Sequence, residues 1–150
     1  MYFKGRIKEL NLPGHVLAEG YEAVSFDEQD VPDYFVKQWE SLTGTEWCVP
    51  RTAHIFFITK EKEVVSTVFF IADEEISTGI FHAGRCERKH QKKGFYKYSI
   101  LTGISIMRER GIRFLEAHTT KSFLWPFWDS LGLQRVDEIS YLAHAGREPK

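Results

Sequence analysis

The stretch between residues 77 and 118 constrains the fold of this chain more than any other part of the sequence. An apolar run over about Ser77–Glu87 predicts a strand, and the basic loop Gln91-Lys92-Lys93-Gly94-Phe95-Tyr96 follows it. Apolar residues then recur at helical spacing over Phe95–Arg110, and Gly111 is placed to end that helix. The short apolar run Ile112–His118 predicts the next strand. This order predicts a βαβ unit, in which a right-handed crossover joins two parallel strands.

The loop between the predicted strand and helix has the composition of an anion-binding site. Gly94 lies among basic residues there, and a glycine at such a junction lets the backbone come close to a phosphate. The first N–H groups of the helix have no partner inside it, and the positive end of the helix dipole strengthens their attraction for anions. The basic residues of this patch are Arg85, Arg88, Lys89, Lys92, Lys93 and Lys97. A solvated basic turn and a nucleic-acid contact remain alternatives at this point.

The residues before this unit predict one helix and several strands. Candidate strands lie at Tyr2–Glu9 and His15–Phe26, on either side of the turn signal Leu12-Pro13-Gly14. A helix is predicted from Asp30, as its cap, to Gly44, because large apolar residues recur there at helical spacing.

A hairpin and two short elements complete the predicted order. Ala53–Thr59 and Val64–Ile71 are rich in β-branched and aromatic residues, and the charged residues 60–63 make the turn between them. Their continuous apolar runs indicate strands that are covered on both faces. After the βαβ unit, Ser122–Leu131 predicts a short helix with its regular part from 125 or 126 onward, and Gln134–Ala143 predicts a final strand.

Length and composition predict one globular domain over residues 1–150. A chain of this length can bury roughly two thirds of its unfolded surface, and a formal net charge of -1 gives no general attraction to nucleic acid. No apolar run approaches the ~20 residues that cross a membrane, and the first residues lack the apolar core of a signal peptide. Cys48 and Cys86 do not make a secreted disulfide framework. The sequence therefore predicts a cytoplasmic protein without a membrane partner.

Two motifs, in register with each other, resemble those of the GNAT superfamily of acyl-CoA-dependent N-acyltransferases. The hallmark loop of that family reads (Gln/Arg)-x-x-Gly-x-(Gly/Ala); Gln91 and Gly94 fill its first two fixed positions, and Tyr96 takes the third. One strand later the family often reads Asn-x-x-Ala-x-x-(Phe/Leu)-Tyr-x-x-Leu-Gly-Phe, and residues 121–133 follow that pattern. Phe127, Leu131 and Gly132 match it, Trp128 and Leu133 are similar in character, and Lys121 replaces the Asn.

The resemblance implies a fold of the α/β (α+β) class, a GNAT-like mixed, mostly antiparallel central sheet with a βαβ core and helices on both faces. Only one helix precedes the hairpin, where two are common in the family. After Gly132 the chain has 18 residues, enough for one strand or a tight hairpin where the family usually has two strands. The missing edge is either supplied by a partner chain, which predicts a homodimer, or simply absent.

The resemblance also implies an acetyl-CoA-dependent N-acetyltransferase, in which a primary amine attacks the thioester directly in a ternary complex, with no covalent enzyme intermediate and no metal site. Acetyl-CoA is then a co-substrate: its pantetheine arm would pair with the backbone near Arg85 and Cys86, and its pyrophosphate would bind the loop. Trp128 takes the position of a tyrosine that often protonates the leaving thiolate. An indole N–H does not titrate in this range, so Trp128 is expected against the arm or in the core. The residues expected at the cofactor are Arg85, Cys86, Gln91, Lys92, Lys93, Gly94, Phe95, Tyr96 and Trp128.

An ammonium acceptor must lose a proton before it attacks, so a base of near-neutral pKa is expected as well. His82 is the first candidate, because its parity with Cys86 on the incoming strand predicts that both side chains face the same side. Glu116 and His118, on the next strand, are the other candidates. For each of the three, the alternative is a hydrogen-bonded strand residue without a catalytic role.

The acceptor groove of the family lies beside the first helix and its loops, which are roughly residues 26–52 of this chain. That region is acidic, which predicts a cationic amine acceptor, either a small molecule or a peptide. Its carboxylates are Asp27, Glu28, Asp30, Asp33, Glu40 and Glu46. A second hypothesis is a catalytically inactive GNAT-fold protein that binds acyl-CoA or a protein partner. A third, a small nucleic-acid-binding module, depends on the basic loop alone.

Overall fold

The computed structural model describes residues 1–137 and 139, and a seven-stranded sheet forms the centre of this part of the chain. The strands are β1 (Tyr2–Arg6), β2 (Tyr21–Asp27), β3 (Ala53–Lys60), β4 (Glu63–Asp73), β5 (Thr78–Cys86), β6 (Phe114–His118) and β7 (Gln134–Val136). Their order across the sheet is β2-β3-β4-β5-β6-β1-β7. The α-helices of the described residues are α1 (Asp33–Thr43), α2 (Phe95–Glu109) and α3 (Trp125–Ser130). Neighbouring strands are antiparallel except β5 and β6, which are parallel.

The helices cover both faces of the sheet. On one side, here called the α2 face, Ile100 and Ile104 of α2 and Trp128 of α3 pack with Phe70 and Phe81 in the largest core cluster. The opposite side, the α1 face, is covered by α1, whose residues pack against the sheet around Trp39, Ile55 and Phe57. The mixed, mostly antiparallel sheet, the βαβ core and the helices on both faces are thus confirmed.

The hairpin of β3 and β4 is tighter than the sequence predicts. Glu61 and Lys62 have positive φ values of 51° and 69°, so the turn is these two residues and not four. Each strand gains a residue from the shorter turn, since β3 ends at Lys60 and β4 begins at Glu63. The side chains of β3 are buried from Ala53 to Thr59, which confirms that both of its faces are covered.

Three boundaries near the start of the chain differ from the predictions. The first strand ends at Arg6, and the residues that follow it form a 3-10 turn. The predicted strand from His15 is wrong over its first part: Gly20 has a φ of 88° and the Tyr21 N–H donates to the Ala18 carbonyl at 3.3 Å, so a turn delays β2. The cap of α1 is Pro32, because Asp30 belongs to a separate 3-10 turn.

The end of the chain follows the prediction as far as Val136, where β7 ends. The helix α3 begins at Trp125 with Pro126 in its first turn, where a missing N–H costs little. The strand β7 pairs antiparallel with β1. Most of the predicted continuation to Ala143 lies outside the described residues. Over residues 1–137 and 139, no helix has the length and apolar character needed to cross a membrane.

The close contact between α2 and β5 leads to a stability prediction at Gly103. A Cβ atom there would lie 2.7 Å from Cζ of Phe81 and 3.4 Å from Cε2 of Phe56. Both rings belong to the packed core, so Gly103→Ala is expected to destabilise the protein by about 1–3 kcal/mol through overpacking, although alanine is the better helix former. Urea denaturation measures the change, with Ser105→Ala in the same helix as the control. A more stable Gly103→Ala variant would show that the rings move aside without cost.

Candidate functional site

The sheet opens between β5 and β6. The two strands pair from Thr78 with Phe114 to Phe81 with Ala117, and their ladder ends there. Beyond that point β5 continues to Cys86, whereas β6 ends at His118. A cavity of about 570 Å³ occupies the opening and is called here the first cavity. Its wall is formed by the end of β5, the basic loop, the first turn of α2 and the residues that follow β6.

The basic loop is held in place by contacts on both sides. The buried His90 is hydrogen-bonded through Nδ1 to the Tyr21 hydroxyl at 2.8 Å. The Tyr21 ring in turn packs on Phe95, with ring centroids 4.6 Å apart. The Gln91 amide donates to the Cys86 carbonyl at 3.4 Å. The loop is therefore fastened to the edge strand β2 on one side and to the end of β5 on the other.

The helix α2 presents free backbone donors to this cavity. Gly94 is its N-cap, with a φ of 75°, and no atom lies within 4 Å of a Cβ built there. The Tyr98 N–H donates the first helical bond, to the Gly94 carbonyl at 2.9 Å. The N–H groups of the preceding turn have no place in the helical ladder. With Lys92, Lys93 and Lys97 on the same wall, this end of the cavity is suited to an anion.

Tyr96 fits into the wall of the first cavity without closing it. A Cβ atom at Gly84 would lie 3.5 Å from Cδ2 of Tyr96, an ordinary van der Waals distance, so the Tyr96 ring lies beside β5. The ring also meets Trp128 edge to face, with centroids 6.3 Å apart. Burial raises the pKa of Tyr96 far above its usual value, so its hydroxyl stays protonated.

A β-bulge in β5 decides which side chains face which side. On β4, Phe69 pairs with His82 but Thr67 pairs with Arg85, so β5 has one more residue than β4 between these two pairs. The His82 ring stacks on Phe69, at 5.0 Å, on the α1 face. Cys86 instead packs beside Phe95 on the α2 face. The prediction that His82 and Cys86 share a face is therefore wrong, because the extra residue reverses the alternation of side chains.

Two of the three predicted bases flank the opening of the sheet. His82 and His118 directly follow the last paired residues, Phe81 and Ala117, and both line the first cavity. The His118 ring stacks on Tyr2 with centroids 4.3 Å apart. Partial burial lowers the pKa of His82 below its ordinary value of 6.5, so its neutral, proton-accepting form dominates at pH 7.

The third predicted base, Glu116, lies away from the cavity. It faces Lys4 of the neighbouring strand, and its carboxylate accepts an ion-pair contact from the lysine Nζ at 3.2 Å. It lines neither cavity described here. The structure therefore gives Glu116 a cross-strand contact and leaves the two histidines as the candidates.

The residues expected at the cofactor lie together, with one exception. The first cavity is lined by Arg85, Cys86, Gln91, Lys92, Lys93, Gly94, Phe95 and Tyr96. Trp128 is 0% exposed and does not line it, because its ring packs in the core behind Phe81 and Tyr96. The expected contact between Trp128 and the pantetheine arm is thus corrected to a core position. Burial raises the pKa of the Cys86 thiol, which keeps it protonated and a poor nucleophile.

Several residues of the wall were not predicted from the sequence. Thr120, Phe123 and Leu124 follow β6 and line the first cavity. Their position after the carboxyl end of a parallel strand was the available signal, since ligands favour that edge of a sheet.

A second cavity of about 470 Å³ adjoins the first. Three residues line the second cavity but not the first: Leu42 of α1, Glu87 and Arg88. It shares with the first cavity Gly84, Arg85, Cys86, Gln91 and Lys121. Leu42 belongs to α1, so the second cavity reaches the α1 face of the sheet.

The acidic residues of the region 26–52 line neither cavity. Asp27 accepts from His54 Nδ1 at 2.9 Å and from Arg110 at 3.1 Å, and the other ring nitrogen of His54 bonds to Ser25. The carboxylates of Glu28 and Glu40 accept hydrogen bonds from the indole and backbone N–H groups of a single residue, Trp47, at 3.1 and 2.9 Å. These carboxylates brace the loops around α1, so the acidity of the segment does not carry over to the cavities.

Comparisons with known proteins identify the fold. The sequence matches no protein-family model and no curated protein. Among solved structures, a tandem GNAT protein from the clavulanic acid biosynthesis pathway superimposes with a TM-score of 0.71 at 11% identity, over 91% of this chain and 50% of its own. The ribosomal-protein-S18-alanine N-acetyltransferase from Escherichia coli superimposes with a TM-score of 0.59 at 11% identity, over 78% of this chain and 79% of its own. An aminoglycoside acetyltransferase from an uncultured soil metagenomic sample superimposes with a TM-score of 0.57 at 14% identity, over 74% of this chain and 86% of its own.

Proposed function

We propose that this chain, which has the GNAT fold, is an acetyl-CoA-dependent N-acetyltransferase that transfers an acetyl group to a primary amine by direct attack in a ternary complex. One observation carries the proposal. The opening between β5 and β6, the basic loop and the first turn of α2 border a single cavity, which therefore joins a helix N-terminus suited to an anion to an unpaired strand edge. A cytoplasmic location, predicted from the sequence, belongs to the same proposal.

The cavity fits the co-substrate in size and in the groups on its wall. A volume of about 570 Å³ lies within the range of pockets that bind small molecules and cofactors. The open space around Gly94 would admit the pyrophosphate to the N–H groups of the first turn of α2. The part of β5 beyond the ladder with β6 would offer its backbone to the pantetheine arm. Lys92, Lys93 and Lys97 would neutralise the phosphates.

The residues at the opening supply the rest of the chemistry. His82 or His118 would take a proton from the ammonium group, which frees the nitrogen lone pair for attack on the thioester carbon. A backbone N–H near Arg85 and Cys86 would donate to the carbonyl oxygen as negative charge develops on it. Coenzyme A leaves as a thiolate, whose ordinary pKa of ~8.5 makes departure feasible without a general acid. The protonated Cys86 thiol supports transfer without a covalent enzyme intermediate.

Binding of acetyl-CoA to a Gly94→Glu variant tests the proposal. The new carboxylate would stand at the phosphate end of the cavity. The affinity is expected to fall about 100-fold or more, because at least one charge-assisted hydrogen bond is lost and like charges repel each other. Calorimetric titration measures the dissociation constant. Gly111→Glu is a matched control, because Gly111 lies at the other end of α2 with a φ of 77° and, like Gly94, has no atom within 4 Å of a Cβ.

The outcome separates the functions under consideration. Equal affinity of the wild type and the Gly94→Glu variant, or no binding to the folded wild type, would contradict the cofactor site. Binding without release of free coenzyme A thiol in the presence of any amine would favour the inactive acyl-CoA-binding protein. Thiol release that depends on an amine, together with the acetylated amine in the mass spectrum, would establish the transferase.

A further inference from the structure

The second cavity carries an excess of positive charge. Arg85, Arg88 and Lys121 all line it, and none of them has a carboxylate partner among the described residues. The one carboxylate on its lining, Glu87, contacts Lys89 at 3.3 Å and is balanced by it. Leu42 is the apolar member of the wall. A ligand that suits these groups has an anionic group and a neighbouring apolar part.

The position of this cavity relates it to the acceptor more than to the cofactor. Cys86 packs on the α2 face, and Arg85 is the residue before it on β5. Because successive side chains of a strand point to opposite faces, the Arg85 side chain leaves the sheet on the α1 face. The first turn of α2, with the N–H groups that suit the pyrophosphate, lies on the opposite face. Arg88 lines the second cavity and not the first. The histidines that flank the opening line the first cavity, and the His82 ring stacks on Phe69 on the α1 face.

We propose that the acceptor is a primary amine that also bears a carboxylate, and that Arg85, Arg88 and Lys121 bind this carboxylate in the second cavity. The inference rests on the proposed acetyltransferase function and specifies its substrate class. Guanidinium groups bind carboxylates through two parallel hydrogen bonds, which fix the orientation of the acceptor as well as its affinity. The amine would then project toward His82 and His118. This assignment replaces the cationic acceptor expected from the acidic segment, whose carboxylates lie elsewhere.

Matched acceptors that differ only in the carboxylate test this inference. The dipeptide Ala-Leu is compared with its C-terminal carboxamide, and Nα-acetyl-lysine with its carboxamide; in both pairs the reacting amine is remote from the change, so its basicity is nearly the same. 1,5-Diaminopentane represents the cationic class. We expect kcat/KM to be at least about tenfold higher for the acid of each pair, the difference typical of one charge-assisted contact.

Variants locate the effect in the cavity. In Arg88→Gln/Lys121→Gln the ratio of acid to carboxamide should fall toward one, mainly through a higher KM for the acid. The matched control is Lys37→Gln/Arg51→Gln, which removes two exposed positive charges that line neither cavity. A higher KM for acetyl-CoA, with the ratio of acid to carboxamide preserved, would assign the cations to the phosphates of the cofactor and overturn the inference.

The remaining outcomes distinguish failure of the carboxylate site from failure of the acetyltransferase function. A preference for the carboxamides or for the diamine would overturn the carboxylate site and leave the acetyltransferase intact. If the protein binds acetyl-CoA but acetylates no amine, the proposed function fails. Calorimetric titration of Ala-Leu into the protein saturated with coenzyme A then tests whether the carboxylate site exists. Saturable binding that the Arg88→Gln/Lys121→Gln variant loses would support the site, and no binding would overturn it.

Discussion

Replacement of both His82 and His118 by glutamine is expected to lower kcat for amine acetylation by about 10²- to 10⁴-fold, the usual contribution of a general base. The two imidazoles flank the opening of the sheet at the point where the ladder of β5 and β6 ends. Glutamine retains a polar side chain but accepts no proton near neutral pH. The dissociation constant for acetyl-CoA should stay close to that of the wild type, because neither side chain belongs to the phosphate end of the cavity.

The pH dependence of kcat distinguishes the two histidines. A histidine base works in its neutral form, so the rate falls as the pH drops through its pKa. Burial against Phe69 lowers the pKa of His82 below 6.5. If His82 is the base, the acidic limb of the wild-type profile therefore lies below pH 6.5 and disappears in His82→Gln. An unchanged limb in His82→Gln that disappears in His118→Gln would assign the role to His118.

Glu116→Gln is the control for these variants. Its carboxylate contacts Lys4 and lines neither cavity, so the rate should stay close to that of the wild type. Full activity in the double histidine variant would contradict both assignments and direct the search for the base to water or to the substrate itself. A large loss of rate in Glu116→Gln would return the carboxylate to the site.

Trp128→Ala is expected to lower the free energy of unfolding by about 3–5 kcal/mol, the range for a large aromatic removed from a core. Trp128 is 0% exposed, and its ring meets those of Phe3, Phe81 and Phe127 with centroids 6.1, 6.2 and 5.4 Å away. These contacts join α3 to the sheet and to the wall of the first cavity. Urea denaturation measures the loss.

Phe123→Ala is the comparison for this experiment. Phe123 is 75% exposed, so its removal should change the stability by no more than about 0.5 kcal/mol. Trp128→Phe keeps an aromatic ring in the core and should bind acetyl-CoA with nearly the wild-type affinity. A folded Trp128→Phe variant with tenfold weaker binding would place Trp128 at the pantetheine arm after all, contrary to its buried position.

The βαβ unit was predictable because its signals are local. The helix α2 begins after Gly94 and ends before Gly111, as the spacing of apolar residues predicts, and the strands on either side follow from β-branched and aromatic runs. The phosphate-binding character predicted for the loop depends on local features as well: one glycine, its basic neighbours and a helix terminus. The fold class followed from the order of these elements and from the two family motifs.

The faces of the side chains at the site were not predictable in the same way. Alternation along a strand is a local rule, but the bulge between His82 and Arg85 appears only when β5 pairs with β4. Tyr96 packs beside Gly84 of β5, twelve residues earlier in the chain, and this contact depends on the folded structure. Trp128 looked like a cofactor contact, and its packing behind Phe81 makes it part of the core.

The sequence by itself determined the order of the elements, the basic composition of the loop before α2 and the resemblance to the GNAT superfamily, because each depends on residues that are close together in the chain. Tertiary structure alone decided the electrostatic character of the second cavity. The carboxylates of Asp27, Glu28 and Glu40 are bonded to His54, Arg110 and Trp47, whereas Arg88 and Lys121, from separate loops, both line the second cavity. The charge that a ligand meets depends on which side chains already have partners, and those partners are distant in sequence.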